Sequence, residues 1–280
     1  MKNHLPCIVV LMLGATTPSI AETPRTVPTS APQTAAHDMG PAEIESLKPL
    51  MVVADRAVLQ NDFSETRPLD TSVSRIHQQT QWAIENGVLH GRPASPDFQA
   101  SRPDHNGLEA RISFPNIPAE FAARFSFRFS GGEWIYEYKP GRGLAPMLEF
   151  GHHLCRIAQQ PKGIQIRVEN EAFIVAENSG FSLEPGRWHH VLAESKGDEF
   201  VLQFAHGPTL YAKHETFAKA PPAHARGLWI GGPRLGEVEI DNLTVWSIQP
   251  DPNPTWTRTK AALPPPQTIS RKERTPNQRR

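Results

Sequence analysis

Cysteine is nearly absent from the 280-residue chain, which has only Cys7 and Cys155. Cys7 lies in an amino-terminal segment that reads as a leader, so after its removal no intramolecular disulfide can form. The fold must then be held by its core. An excess of charge is also missing, with 29 Lys plus Arg against 29 Asp plus Glu. That balance argues against a partner captured by bulk charge, whether nucleic acid or an anionic membrane. No run approaches the roughly 20 apolar residues that a spanning helix needs, so no transmembrane segment is expected. The chain has no His-Glu-x-x-His, no paired-cysteine motif and no EF-hand loop. It also has no phosphate loop, Rossmann glycines or Gly-x-Ser-x-Gly elbow, which leaves nucleotide transfer and serine hydrolysis without support.

What is abundant is proline. The 28 prolines are about twice ordinary usage and keep much of the chain out of helix interiors. Residues 1–21 have the layout of a secretory signal: Lys2, a short apolar stretch from Leu5 to Ala15, then Ser19-Ile20-Ala21 as a small-residue cleavage site. An extracytoplasmic, periplasmic or secreted, location is expected. Residues 22–44 are a Pro/Thr/Ala-rich linker expected to be disordered, and 250–280 a Pro-rich basic tail expected to be disordered as well. Between them, residues 45–250 carry 20 Lys or Arg and 24 Asp or Glu, a net of −4.

Within that core the dominant period is two. Phe125, Phe127 and Phe129 alternate with polar residues, as do Leu108, Ala110, Ile112 and Phe114, and later Ile164, Ile166 and Val168. Asn86-Gly87 between two short apolar runs predicts a hairpin with positive φ at both turn residues. In the last strand the apolar parity switches from Val238 and Ile240 to Leu243 and Val245. That switch predicts a β-bulge at Asp241-Asn242. Many short strands without βα alternation give an all-β fold, an antiparallel β-sandwich of the jelly-roll kind, over 45–249.

Several strings carry a resemblance. Asn61-Asp62-Phe63-Ser64, Trp82 to Leu89, Gly186-Arg187-Trp188-His189-His190-Val191 and Ile240 to Trp246 together resemble the concanavalin A-like jelly-roll superfamily. The Trp-His-His-Val string is similar to laminin G-like domains. The opening Asp-Phe, the closing Asp-Asn strand and His153-Leu154-Cys155-Arg156-Ile157 resemble secreted bacterial 3-keto-disaccharide hydrolase-like domains. The resemblance covers about residues 57–248 and implies a carbohydrate partner and hydrolase-like chemistry on an oxidised disaccharide.

Read as chemistry, a 3-keto sugar needs a base to take the proton beside the ketone and a positive group to hold the enolate charge. Glu149, His152, His153 and Arg156 concentrate suitable groups and are the catalytic candidates. On a regular strand, His152 would share a face with Arg156, and Glu149 with His153. Trp134, Tyr136 and Tyr138 would share another face and could stack on sugar rings, with Glu137 beside them. The competing reading makes those aromatics inter-sheet core, with Glu133 and Glu137 outward. Glu237, Glu239 and Asp241 are similar to the carboxylate signature of jelly-roll glucanases but lack its final glutamate, and a solvated face explains them. Trp188 is expected as a core anchor, with His189 and His190 on opposite faces. These motifs require no cofactor, although a structural calcium bridging Asp62 and Asp241 would suit adjacent terminal strands. Two functions stay open at this point: a hydrolase acting on disaccharides, and a non-catalytic glycan-binding or interaction sandwich.

Overall fold

The Asn86-Gly87 turn has φ of 52° and 78° and joins β3 (Gln81–Glu85) to β4 (Val88–Arg92) in a two-residue hairpin, as its sequence requires. The computed structural model describes residues 41–102, 107–136, 146–219 and 223–271. Before that hairpin come α1 (Pro41–Ser46), β1 (Val52–Asn61) and β2 (Arg75–Ile76). After it come α2 (Pro96–Ala100), β5 (Glu109–Phe114), β6 (Phe121–Glu133), β7 (Met147–Phe150), β8 (Cys155–Gln160), β9 (Gly163–Val168) and β10 (Phe173–Asn178). The chain continues through β11 (His189–Lys196), β12 (Glu199–Phe204), β13 (Thr209–Lys213), α3 (Glu215–Ala218), β14 (Leu228–Pro252), α4 (Trp256–Ala261) and β15 (Ile269–Ser270).

The pairings are antiparallel and divide into two layers joined by one long strand. In the first layer, β13, β12, β11 and β6 lie in order, followed by the part of β14 from Gly236 to Trp246, with β1 and β4 on its far side. In the second layer, β2 and β5 are followed by Leu228 to Gly231 of β14, then β7, β8, β9, β10 and β15. β14 crosses between layers through Pro233 to Leu235, where Leu235 takes φ of 56°. There the backbones approach so closely that a side chain on Gly132 would sit 2.4 Å from the Arg234 carbonyl oxygen. This is a jelly-roll β-sandwich.

Between the layers lies the core expected from the alternation. Phe125, Phe127 and Phe129 of β6 are fully buried with Ile112, Phe114, Leu148, Ile157, Ile164 and Ile166 from the opposing layer. The parity switch in β14 is realised as a register shift between Asp241 and Thr244, with Asn242 at φ 53°.

Two expectations about the flanks are corrected. Helix α1 begins at Pro41, inside the segment expected to be linker through 44. The tail expected to be disordered from Pro250 is instead packed through Arg271. Trp256 of α4 is buried with Met51, Val52, Val201 and Tyr211 on the outside of the first layer, and β15 pairs with β10. One large apolar ring and a strand edge outweighed the proline content. Residues 1–40 and 272–280, and with them the signal and most of the linker, lie outside the described residues. Among the described residues no helix is long and apolar enough to cross a membrane.

Candidate functional site

In the second layer the inward positions are apolar, so the intervening residues form the outer face. Cross-strand register places Ser113 opposite Trp229, Trp229 opposite Glu149, Glu149 opposite Arg156, and Arg156 opposite Arg167. These five side chains form one row across five strands. None exceeds 6% exposure, and Glu149 has none.

A buried carboxylate must be paired or protonated. Glu149 is paired twice: Arg156 Nε donates to its Oε1 at 2.7 Å, and His152 Nδ1 lies 2.7 Å from its Oε2. Burial pushes the Glu149 pKa upward, but the Arg156 guanidinium and His152 prevail and hold it at about 2. Burial works against the charge on Arg156, yet Glu149 and Glu171 keep its pKa raised. Arg156 also bonds Glu171, which in turn accepts from Arg167 at 2.7 Å and Arg271 at 3.1 Å. Glu171 thus relieves the two like charges that register sets face to face. Burial opposes its ionisation too, and the arginines outweigh it, so its pKa is lowered.

The histidines are not where a regular strand would put them. β7 ends at Phe150, and the chain turns with Gly151 at φ 79° and His153 at φ 64°. The turn is fastened to the segment just before β14 by Gly151 N–H to the Gly227 carbonyl at 2.8 Å and His152 N–H to the Ala225 carbonyl at 2.7 Å. As a result both imidazoles reach Glu149, His153 Nδ1 lying 4.0 Å from Oε1, and their ring centroids are 3.7 Å apart. The expected division into a Glu149–His153 face and a His152–Arg156 face is therefore replaced by convergence of all four groups. His153 is the accessible member, with 47% of its side chain exposed against 20% for His152. Its pKa is lowered, first by burial.

His152 stacks on Trp229 at 4.3 Å, and His77 stacks on the same indole at 4.2 Å while its Nε2 contacts Ser113 Oγ at 2.8 Å. Arg111 lies on this face too, its Nε buried without a hydrogen-bond partner among the described residues. Trp229 and Arg111 were missed from sequence because cross-strand register brings them in, and Glu171 and His77 because they come from the turn between β9 and β10 and from the segment after β2. Cys155 is on the inward side, its thiol pKa pushed up by burial. Glu149, His152 and His153 offer ligand atoms within 4.8 Å of one another, a geometry open to a metal ion.

The other candidates do not join this cluster. β6 stops at Glu133, so Trp134 and Tyr136 do not continue it as one aromatic face. Trp134 packs edge-on against Phe129 at 6.0 Å as part of the core periphery, and Tyr136 is half-buried. Glu137 and Tyr138 lie outside the described residues. Asp62 and Asp241 sit near the paired terminal strands β1 and β14, where burial, together with the Asp62 charge, raises the Asp241 pKa. Each is already engaged locally, Asp62 with Ser64 Oγ at 2.8 Å and Asp241 with Asn242 N–H at 2.7 Å. Glu237 and Glu239 face outward on the first layer, where Glu239 is held by Arg128 and lies 3.5 Å from His90. Trp188 is corrected from core anchor to a half-buried ring outside the core, with Arg128 4.9 Å above it. His189 and His190 do lie on opposite faces, one against Phe127 and the other bonded to Ser126 Oγ.

The strand order and the two faces define the protein as a jelly-roll β-sandwich. No family model matches the chain, and no curated protein matches it. Among solved structures it is similar to a carbohydrate-binding module from Bacillus subtilis, at 15% identity over 62% of this chain and 95% of that one, TM-score 0.42. It is similar also to a GlcNAcα1-4Gal-releasing endo-β-galactosidase from Clostridium perfringens, at 12% identity over 72% of this chain and 65% of that one, TM-score 0.46. A non-specific endo-β-1,3(4)-glucanase is 10% identical over 71% of this chain and 98% of that one, TM-score 0.44. These likenesses assign no activity to the chain.

Proposed function

We propose that the protein is an extracytoplasmic, carbohydrate-associated sandwich that cleaves the glycosidic bond of an oxidised disaccharide on the outer face of its second layer. The observation that carries this reading is the Glu149–His152 pair, buried on one side and open on the other. A carboxylate that accepts from Nδ1–H leaves the lone pair of His152 on Nε2, where it can act as a base. That nitrogen takes the proton from the carbon between the ketone and the anomeric carbon of a 3-keto sugar. The electron pair of the broken C–H bond forms a carbon–carbon double bond, and the glycosidic oxygen leaves with the bonding electrons and is protonated as an alcohol. Water then adds to the unsaturated sugar and gives the free 3-keto monosaccharide. His153, exposed beside the base, is placed to donate to the enolate oxygen. Arg156 is a positioning residue: it is buried and acts by fixing Glu149.

The test is product analysis on disaccharides and their 3-keto forms. Release of monosaccharide that falls at least about a hundredfold in Glu149→Gln and His153→Ala supports the reading. Undiminished turnover in both variants, or no turnover with any substrate, refutes it. A second reading, non-catalytic glycan binding, is favoured by Trp188, a half-buried ring outside the core of the first layer. It requires binding heat that survives Glu149→Gln and is lost in Trp188→Ala.

A further inference from the structure

The geometry points to a first-row transition-metal site formed by Glu149, His152 and His153. This inference concerns the cation alone; with a metal on Nδ1 of His152 the ring proton lies on Nε2, so the base role proposed above belongs to the metal-free protein. Two imidazoles and one carboxylate suit zinc or its neighbours far better than calcium, which takes oxygen ligands. Bonds of about 2.0–2.1 Å in a tetrahedron separate donor atoms by roughly 3.3 Å. The separations are 2.7 Å from His152 Nδ1 to Glu149 Oε2 and 4.0 Å from His153 Nδ1 to Oε1, and one ligand atom from each of the three residues lies within 4.8 Å of the other two. A cation there would take the place of a proton between His152 and Glu149, and the three side chains would draw together from separations of up to 4.8 Å.

A second observation is the backbone of the turn. Neighbouring residues on a strand point to opposite faces, and here the turn after β7, with left-handed φ of 79° at Gly151 and 64° at His153, brings the two rings side by side. A non-glycine residue in that region is strained, and here the strain gathers two metal-ligating rings onto one carboxylate. Support around the ligands is also present. Arg156 Nε fixes one oxygen of Glu149, and Glu171 with Arg167 fixes Arg156, as outer partners do around metal carboxylates. With three protein ligands and His153 half exposed, the fourth position opens toward solvent, the arrangement of a site that exchanges water for another ligand.

Calorimetric titration of the metal-free mature protein with Zn²⁺, without sugar, tests the proposal. One site is expected, weakened at least about tenfold in both His152→Ala and His153→Ala. Co²⁺ at the same site should give the visible absorption of a four-coordinate ion, lost in either variant. Because His153 is half exposed, its replacement is expected to leave the fold intact, which far-ultraviolet circular dichroism checks. No zinc heat, or binding equal in wild type and both variants, overturns the site and leaves the sugar-cleavage reading to its own assay.

Discussion

His189 should make the protein lose stability as the pH falls from about 6.5 to about 4, and a difference curve against a His189 variant separates its share from that of His77, whose pKa burial also lowers to about 4. It opens β11 on the inward side, only 7% exposed, with Phe127 at 5.5 Å and Phe181 at 6.3 Å. Its Nε2 accepts the Glu184 N–H at 3.1 Å, so the folded state needs a lone pair on that nitrogen. Burial, partly opposed by the Glu184 carbonyl and aided by Arg187, lowers its pKa from 6.5 to about 4. In the unfolded chain the ring binds its proton near pH 6.5, and in the folded protein only near pH 4. Across that window the unfolded state holds more protons, so stability rises with pH and falls on acidification. A difference of about 2.5 units at 1.36 kcal/mol each gives a contribution of about 3 kcal/mol, complete once the pH is below about 4. The assay is urea unfolding at half-unit steps from pH 7.5 to 4.5 in wild type and His189→Gln, whose amide can still accept the Glu184 N–H. Carboxylates common to both proteins cancel in the difference curve. The wild type should lose about 2–3 kcal/mol more than the variant over this range. Superimposable pH profiles would refute the assignment.

Removing the indole in Trp256→Ala should cost about 3–5 kcal/mol, because it empties the small core beneath α4 and breaks the Nε1–H bond to Glu199 at 3.3 Å. Hydrogen exchange should show residues 253–263 opening first, and unchanged protection there would count against the packed tail. At the β14 bulge, Asn242→Val should cost about 1–2 kcal/mol and Asn242→Gly much less, since φ of 53° tolerates asparagine or glycine but not a β-branched residue. Thermal melts of the two variants check the order, and equal midpoints would remove the bulge as the cause.

Those perturbations also separate what was legible in the sequence from what was not. Asn242 was legible: a change of apolar parity at Asp241-Asn242 demands an extra residue, and the register shift supplies it. The three phenylalanines of β6 and the Asn86-Gly87 hairpin were legible for the same reason, since period and turn chemistry are local. Trp256 was not, because proline-rich composition carries no information about where one ring can dock. Glu149, His152, His153 and Arg156 could be chosen as a dense group of ionisable residues, but their convergence could not, since it depends on the left-handed turn at Gly151 and His153. Glu171 left one unused trace. Arg156 and Arg167 stand on strands joined by a tight hairpin, and if they pair they require an anion between them.

That requirement bears on why the face is charged at all. Glu149, Arg111, Arg156 and Arg167 sit at 6% exposure or less on the outer side of the sandwich. Desolvating such groups costs several kcal/mol each, and well-packed apolar residues of similar volume would serve the fold as well or better. The inward face of the same strands, with Leu148, Ile157 and Ile166, shows that the sheet can be built that way. Stability therefore does not account for the row, whereas a site that must hold two histidines and a carboxylate in fixed register does. The buried arginines are then the framework of that site, and their cost to folding is the physical ground for placing function on this face.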